Sequence, residues 1–259
     1  MTGETMSMGR LDNKVALITG AGSGIGRVAA TLFAAQGARV AILEFDENSG
    51  ADAEGEIRAA GGEACFVHTD VTDAGSVVAA IAAVTERYGK LDVIYNNAGG
   101  STLQDASVTE APDEEFWRVI KLDLFGTFLV CKHGIPALID NGGGSVVNTS
   151  SNLAVMGIRG RDCYTAAKGG VASITRSMAV AYAPNKIRVN AIAPAATRTE
   201  RVVKLAEANE ALDSMVQRGQ LLGWCQPIDI AYMALYLASD ESASTTGQVI
   251  PVDSGATIF

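Results

Sequence analysis

A tyrosine and a lysine stand four residues apart in the stretch Asp162-Cys-Tyr-Thr-Ala-Ala-Lys-Gly-Gly170. On a helix this spacing puts both side chains on one face, with Cβ atoms roughly 5–6 Å apart. A free phenol loses its proton near pH 10, too high for a proton carrier at neutral pH. An ammonium at about 5 Å, at an effective dielectric near 20, favours the phenolate by roughly 3 kcal/mol, about a hundredfold in acidity. Tyr164 beside Lys168 is therefore a candidate acid–base pair. A second cation nearby would bring the phenol closer to neutrality, where a general base works best. Alone, such a pair is ordinarily two solvated heads on a helix, so its surroundings decide.

Those surroundings begin with Thr19-Gly-Ala-Gly-Ser-Gly-Ile-Gly26, placed after a β-branched run and before an alanine-rich one. Gly20, Gly24 and Gly26 follow a Gly-x-x-x-Gly-x-Gly spacing, not the commoner Gly-x-Gly-x-x-Gly. Small residues let backbone approach a pyrophosphate, and the helix that follows offers free N–H groups and partial positive charge. Glu44, 18 positions past Gly26, is placed to take the adenosine ribose hydroxyls. Its carboxylate would repel a 2′-phosphate, and neither Ser23 nor Phe45 is a lysine or arginine, so NAD is expected over NADP. Asp70 can accept from an adenine amino group or cap the next helix, and the small residues of Asn96-Asn-Ala-Gly-Gly100 leave room for a ribose.

Strands are expected at Val15–Thr19, Arg39–Leu43, Ala64–His68, Leu91–Tyr95, Ser145–Thr149, Arg188–Ala193 and Gln248–Pro251. Helices are expected at Ile25–Gln36, Ser49–Ala60, Ala74–Tyr88, Asp113–Leu138, Tyr164–Ala183 and Ile228–Ala238, with Thr72-Asp73 capping the third. Such alternation predicts an α/β fold, a Rossmann-type doubly wound parallel sheet of seven strands with helices on both faces. Ligands of such sheets sit at the carboxyl ends of the strands, where the motifs above fall.

The chain of 259 residues suits one domain over 11–259, preceded by a loose polar tail at 1–10. A net charge of −9 argues against nucleic acid and anionic membranes as partners. Four scattered cysteines and two histidines give no metal-ligand spacing, and reduced thiols fit a cytoplasmic protein. No 18-residue apolar run suggests a membrane span, and the N-terminus lacks the apolar core of a signal peptide. Phe116 and Trp117 are expected to anchor their helix to the core, Cys163 to pack, and His133 to face solvent or a subunit interface.

Five motifs occur in order: Thr19–Gly26, Asp70-Val-Thr72, Asn96-Asn-Ala-Gly99, a serine 13 positions before Tyr-x-x-x-Lys, and Pro194 after the sixth strand. Together, from about Lys14 to Gly255, they resemble the short-chain dehydrogenase/reductase family. The resemblance implies one Rossmann-type domain, a nicotinamide cofactor and a homotetramer. It assigns catalysis to Ser151, Tyr164 and Lys168, and places Asp123 where the family has asparagine. In the family that position holds a water linking the lysine to solvent, largely through its main-chain carbonyl. A carboxylate there would raise the lysine's pKa or take its hydrogen bond. The implied cofactor contacts are Gly20, Ser23, Gly24, Ile25, Gly26, Glu44, Phe45, Asp70, Val71, Asn97, Ala98, Gly99, Thr149, Tyr164, Lys168, Pro194, Ala195, Thr197 and Thr199. Ala195 and Ser254 stand where glycine is usual. Substrate is expected against Ser151, Asn152 and Tyr164, under a lid at about 195–222 that includes Met215.

The expected reaction is hydride transfer between NAD and a secondary alcohol or ketone. The alternatives are an NADPH-linked 3-oxoacyl or ketone reductase and a nucleotide-binding sensor with residual activity. The lid's mixed composition does not select a substrate.

Overall fold

Valines, isoleucines and alanines alternate along the first strand so that both of its faces are buried. Ala16 and Ile18 join one core cluster, Val15 and Leu17 the other. A strand apolar on both sides requires helices above and below it, and the computed structural model shows them. It describes residues 9–207, 214, 216 and 219–258. Residues 1–8 of the expected tail, and Met215 with part of the expected lid, lie outside the described residues.

The strands are β1 (Val15–Thr19), β2 (Arg39–Glu44), β3 (Glu63–His68), β4 (Val93–Asn96), β5 (Gly144–Thr149), β6 (Ile187–Pro194) and β7 (Val249–Val252). All pair in parallel, in the order β3-β2-β1-β4-β5-β6-β7. The order reverses between β1 and β4, and a crevice opens there at the carboxyl ends. One face is covered by α1 (Gly24–Ala35), α2 (Glu47–Ala59) and α8 (Pro227–Ala238), the other by α3 (Ala74–Tyr88), α5 (Gly126–Asp140) and α6 (Asp162–Tyr182). Two shorter helices, α4 (Asp113–Val119) and α7 (Glu200–Glu207), border the crevice. Arg10, expected in the tail, is instead held to Glu241, its Nε donating at 2.8 Å.

Local chemistry explains the ends of α3. The Asp73 carboxylate accepts from the backbone N–H groups of Gly75 and Ser76, and Gly89 closes the helix at φ 75°. The long helix expected from Asp113 to Leu138 is interrupted. Residues Ile120–Phe125 form a π-helical turn between α4 and α5. Such turns re-aim side chains and recur at functional sites.

One expectation about this segment is corrected. Phe116 and Trp117 do not anchor α4: they are 37% and 57% exposed and pack edge to face on each other, while Glu115 and Val119 take the inward positions. And one segment, Asp113–Asp140, is by length and composition apolar enough to cross a bilayer, although Lys121, Asp123 and Lys132 interrupt it. Half of its apolar window is buried, and α5 packs against α3, β4 and β5, as a core helix does.

Candidate active site

The cleft at the switch point has a volume of about 1170 Å³ and is walled by the ends of β1, β2, β4, β5 and β6 with α6 and α7. Its floor is fixed by a buried polar ladder. Asn96 Nδ2 donates to Asn148 Oδ1 at 2.9 Å, and Asn148 Nδ2 donates to Thr175 Oγ1 at 2.9 Å. That chain of bonds fixes β4, β5 and α6 relative to one another.

The glycine loop forms one end. Gly20 turns at φ 63° against Ala98, and Asn97 Nδ2 donates to the Gly20 carbonyl at 3.1 Å. Gly26 does not line the cleft. A methyl there would strike the Gly20 carbonyl and the Asn97 amide, so its smallness serves close packing beneath the loop. Ser23 begins α1 without a side-chain cap, which leaves the first-turn N–H groups aimed at the cleft. This end fits a pyrophosphate.

Glu44 lies beside that loop, with Oε2 accepting from the Gly22 N–H at 2.9 Å and Oε1 from the Phe45 N–H at 2.8 Å. Phe45 is exposed and stacks near His68, with ring centres 5.7 Å apart. Asp70 does not cap α3; Asp73 does. The Asp70 Oδ1 accepts from the Thr72 N–H and hydroxyl at 2.8 and 2.7 Å, holding the turn that carries Val71 into the cleft. Asn97, Ala98, Gly99, Thr149, Pro194, Ala195, Thr197 and Thr199 line the same space. Thr197 is otherwise buried, bridged to Cys225, and Thr199 rests its methyl against Gly24. The residues present fit a dinucleotide lying from β2 across to β6.

Tyr164 and Lys168 rise from the first turns of α6. The nearest acid to that helix start in the chain is Asp162, yet the cap comes from elsewhere. Asp105, buried, accepts from the Cys163 and Tyr164 N–H groups at 3.1 Å each. Cys163 packs inward with Val119 and Ala167, as expected. The Lys168 ammonium sits 5.5 Å from the centre of the Tyr164 ring. It donates to the Thr149 carbonyl at 2.8 Å and forms an ion pair with Asp123 Oδ1 at 2.8 Å. Ser151 lines the same cleft, its hydroxyl donating to Asn152 Oδ1 and accepting from the Leu153 N–H, both at 3.2 Å.

The carboxylate of Asp123 is brought here by the π-helical turn. It is fully buried and also accepts from the Gly100 N–H at 3.0 Å. Its main-chain carbonyl is occupied by the Thr127 hydroxyl at 2.8 Å. So Asp123 meets Lys168 through its side chain, not through the main-chain carbonyl that the family resemblance implies.

This pair changes the electrostatics expected from the sequence. Burial, the largest influence, depresses the Lys168 ammonium, but Asp123 and Tyr164 together hold the lysine above its ordinary value. Burial likewise pushes the Tyr164 phenol up. Lys168 pulls it down, Asp123 pushes it up again, and Arg201 pulls it down. The net direction is upward, because burial outweighs the downward pull of Lys168 that the sequence predicts.

Five cations at the cleft, Arg118, Lys121, Arg161, Arg201 and Lys204, are not singled out by the sequence, and three of them stand near the reacting residues. Arg118 is held by Glu115 through two bonds of 2.7 and 2.8 Å, and that pairing keeps the buried Glu115 carboxyl below its usual range. The spacing of three on a helix was the available signal. Arg161 donates to the Thr102 carbonyl at 2.6 Å. Arg201, on α7, lies over Gly100. Nothing local in the sequence marked the last two. Among the described residues, no three His, Cys, Asp or Glu side chains converge as a metal site requires. The four cysteines are free and buried.

Comparison with known proteins agrees with this geometry. A family model described as enoyl-(acyl carrier protein) reductase matches residues 20–257. An uncharacterized oxidoreductase of Bacillus subtilis, YxbG, is 40% identical over 96% of this chain and 92% of its own. The trans-4-hydroxycyclohexanecarboxylate dehydrogenase of Sinomonas cyclohexanicum is 39% identical over 96% of this chain and 94% of its own. Among solved structures, a 7α-hydroxysteroid dehydrogenase complexed with NADH and 7-oxo glycochenodeoxycholic acid superposes with a TM-score of 0.89, at 32% identity over 95% of each chain.

Proposed function

The chain belongs to the short-chain dehydrogenase/reductase family, oxidoreductases acting on CH–OH groups with a nicotinamide cofactor, and from that premise we propose that it is an NAD-linked dehydrogenase of secondary alcohols in which Tyr164 exchanges the hydroxyl proton. The observation that carries this is the position of Lys168 beside Tyr164, at the same cleft as the glycine loop.

When bound, the nicotinamide accepts or donates the hydride. The chain's own residues do the rest. Ser151 holds the substrate oxygen beside the phenol. Tyr164 takes the hydroxyl proton in oxidation and returns it in reduction. The Lys168 ammonium has three protons, of which Thr149 and Asp123 take two. The third is free for a ribose hydroxyl of the cofactor. Asn152 and Met156, 3.5 Å apart between Nδ2 and Sδ, shape the substrate side.

NAD is preferred over NADP because Glu44 lies where a 2′-phosphate would sit. The second reading is an NADPH-linked 3-oxoacyl or ketone reductase, and the family model's description supports its acyl-carrier substrates but names no cofactor. Glu44 weighs against it. Asp123 is the single feature that favours a sensor, and the clustering of Ser151, Tyr164 and Lys168 weighs against that. NADH formation across a panel of secondary alcohols, with NADH and NADPH affinities followed by fluorescence, tests the proposal. Tight NADPH binding with no alcohol oxidation would overturn it.

A homotetramer and a cytoplasmic location complete the proposal. The stacked, half-exposed Phe125 and Phe128, with Trp117 nearby in the chain, support a subunit interface. The four free cysteines support a reducing compartment.

A further inference from the structure

The charges around the reacting centre do not cancel. Lys168 is paired with Asp123, Arg118 with Glu115 and Lys204 with Glu200. Arg161 spends one nitrogen on the Thr102 carbonyl and faces the charge of Glu115. Lys121 and Arg201 also line the cleft, and among the described residues neither has a hydrogen bond or an ion pair. Of the two, Arg201 is the one at the reacting centre. Its guanidinium lies over Gly100, so close that a methyl at that position would collide with it. Gly100 is in turn clamped by Asp123 through its N–H and by Arg118 through its carbonyl. The field of Arg201 reaches both Tyr164 and Lys168.

Arg201 is exposed and lines the cleft, so its unspent donors are open to an anionic ligand there. Its planar fork matches the two oxygens of a carboxylate. The surrounding wall includes Leu153, Met156, Ile158, Val202 and Leu205, which suit a compact apolar body. One uncompensated cation balances one negative charge. A doubly charged phosphate would need more.

We propose that Arg201 is the substrate-anion residue of this cleft and that the physiological substrate is a hydroxy acid, a secondary alcohol carrying a carboxylate that Arg201 pairs with while Tyr164 and Ser151 hold the hydroxyl. This rests on reading the cleft as an alcohol-dehydrogenase site, and it adds the substrate class.

The test compares a carboxylate with its neutral isostere. The probes are 4-hydroxycyclohexanecarboxylate and 3-hydroxybutyrate, each beside its carboxamide. For the wild-type protein, kcat/KM for the acid should exceed that for the amide by about 10- to 100-fold, the range of a charge-assisted pair. In Arg201→Gln the ratio should collapse toward one, and Arg201→Lys should recover part of it, because a point charge cannot form the fork. Wild-type protein that oxidises amide and acid alike overturns the proposal. So does an Arg201→Gln variant that keeps the ratio, or one whose main loss is NADH affinity, which would place Arg201 on the cofactor. If no alcohol is oxidised at all, the dehydrogenase reading fails first. The anion site is then judged by the affinity of cyclohexanecarboxylate for the NADH-saturated protein, with loss in Arg201→Gln supporting it and no difference overturning it.

Discussion

The Lys168 ammonium and the Asp123 carboxylate form a buried ion pair with 2.8 Å between Nζ and Oδ1. Asp123 occupies the position where the family resemblance implies an uncharged asparagine. The lysine that should acidify Tyr164 therefore divides its field between a phenol and a carboxylate.

Asp123→Asn keeps an acceptor for the Gly100 N–H and removes the charge. Asp123 pushes the Tyr164 phenol upward, so its removal lowers that ionisation. Alcohol oxidation needs the phenolate, so its rate rises with pH through this ionisation. The rising limb of the pH–rate profile should move to lower pH in the variant. A limb that stays in place, or moves up, would show that Asp123 does not act on Tyr164.

The same pair carries stability. Removing one partner of a buried ion pair leaves an uncompensated charge and costs about 3–5 kcal/mol. Lys168→Met should show that loss in urea denaturation, and Lys168→Met with Asp123→Asn should regain most of it. The pH dependence has a definite sign. Against the opposing effect of burial, Asp123 and Tyr164 together raise the Lys168 ammonium above its ordinary 10.5. A raised lysine stabilises the fold fully below its unfolded value, and the contribution is lost as pH rises through the folded one. The wild-type protein should therefore lose stability more steeply above about pH 10.5 than the double variant.

Much of this architecture was legible in the sequence, for reasons visible in single elements. The first strand and third helix occur at the expected residues, because β1 is a pure apolar run and α3 has Asp73 and Gly89 as start and stop signals. The π-helical turn was not legible, since Ile-Lys-Leu-Asp-Leu-Phe reads as ordinary helix and the irregularity comes from packing against α6. The cap of α6 was hidden for a different reason: Asp105 is 58 residues from the N–H of Cys163 that it accepts from. Arg201 lies in Glu200–Glu207, whose strong amphipathic period marks a helix but does not say which of its charged residues turns to the cleft. Tyr164 and Lys168 stood out because their spacing is local chemistry, and Ser151 came from the family resemblance; the structure brings all three to one cleft. What their neighbours do to the phenol needed coordinates.

Cofactor choice turns on Glu44. Its carboxylate accepts from the Gly22 and Phe45 N–H groups, which fixes it at the end of β2. A 2′-phosphate there meets a fixed negative charge, so NAD should bind at least about tenfold more tightly than NADP, or about 1.4 kcal/mol. Glu44→Ser should narrow that gap, chiefly by improving NADP. Fluorescence titration with NADH and NADPH reads both. An unchanged ratio would move the ribose site away from Glu44.

Assembly turns on the face carrying Phe125 and Phe128, whose rings stack with centres 6.2 Å apart while 43% and 46% exposed. Phe128→Asp should dissociate a tetramer to smaller species in sedimentation velocity. A wild-type protein that sediments as a monomer would remove the assembly claim and leave the chemistry untouched.

The central claim is that the Tyr164 hydroxyl passes the substrate's proton. Single-turnover formation of NADH from a secondary alcohol, followed against pH for the wild-type protein and Tyr164→Phe, tests it most directly. The wild-type rate should rise with pH through one ionisation, and the variant should lose turnover by about 100-fold or more while still binding NADH. A variant that forms NADH at the wild-type rate, with the same pH profile, would contradict the account.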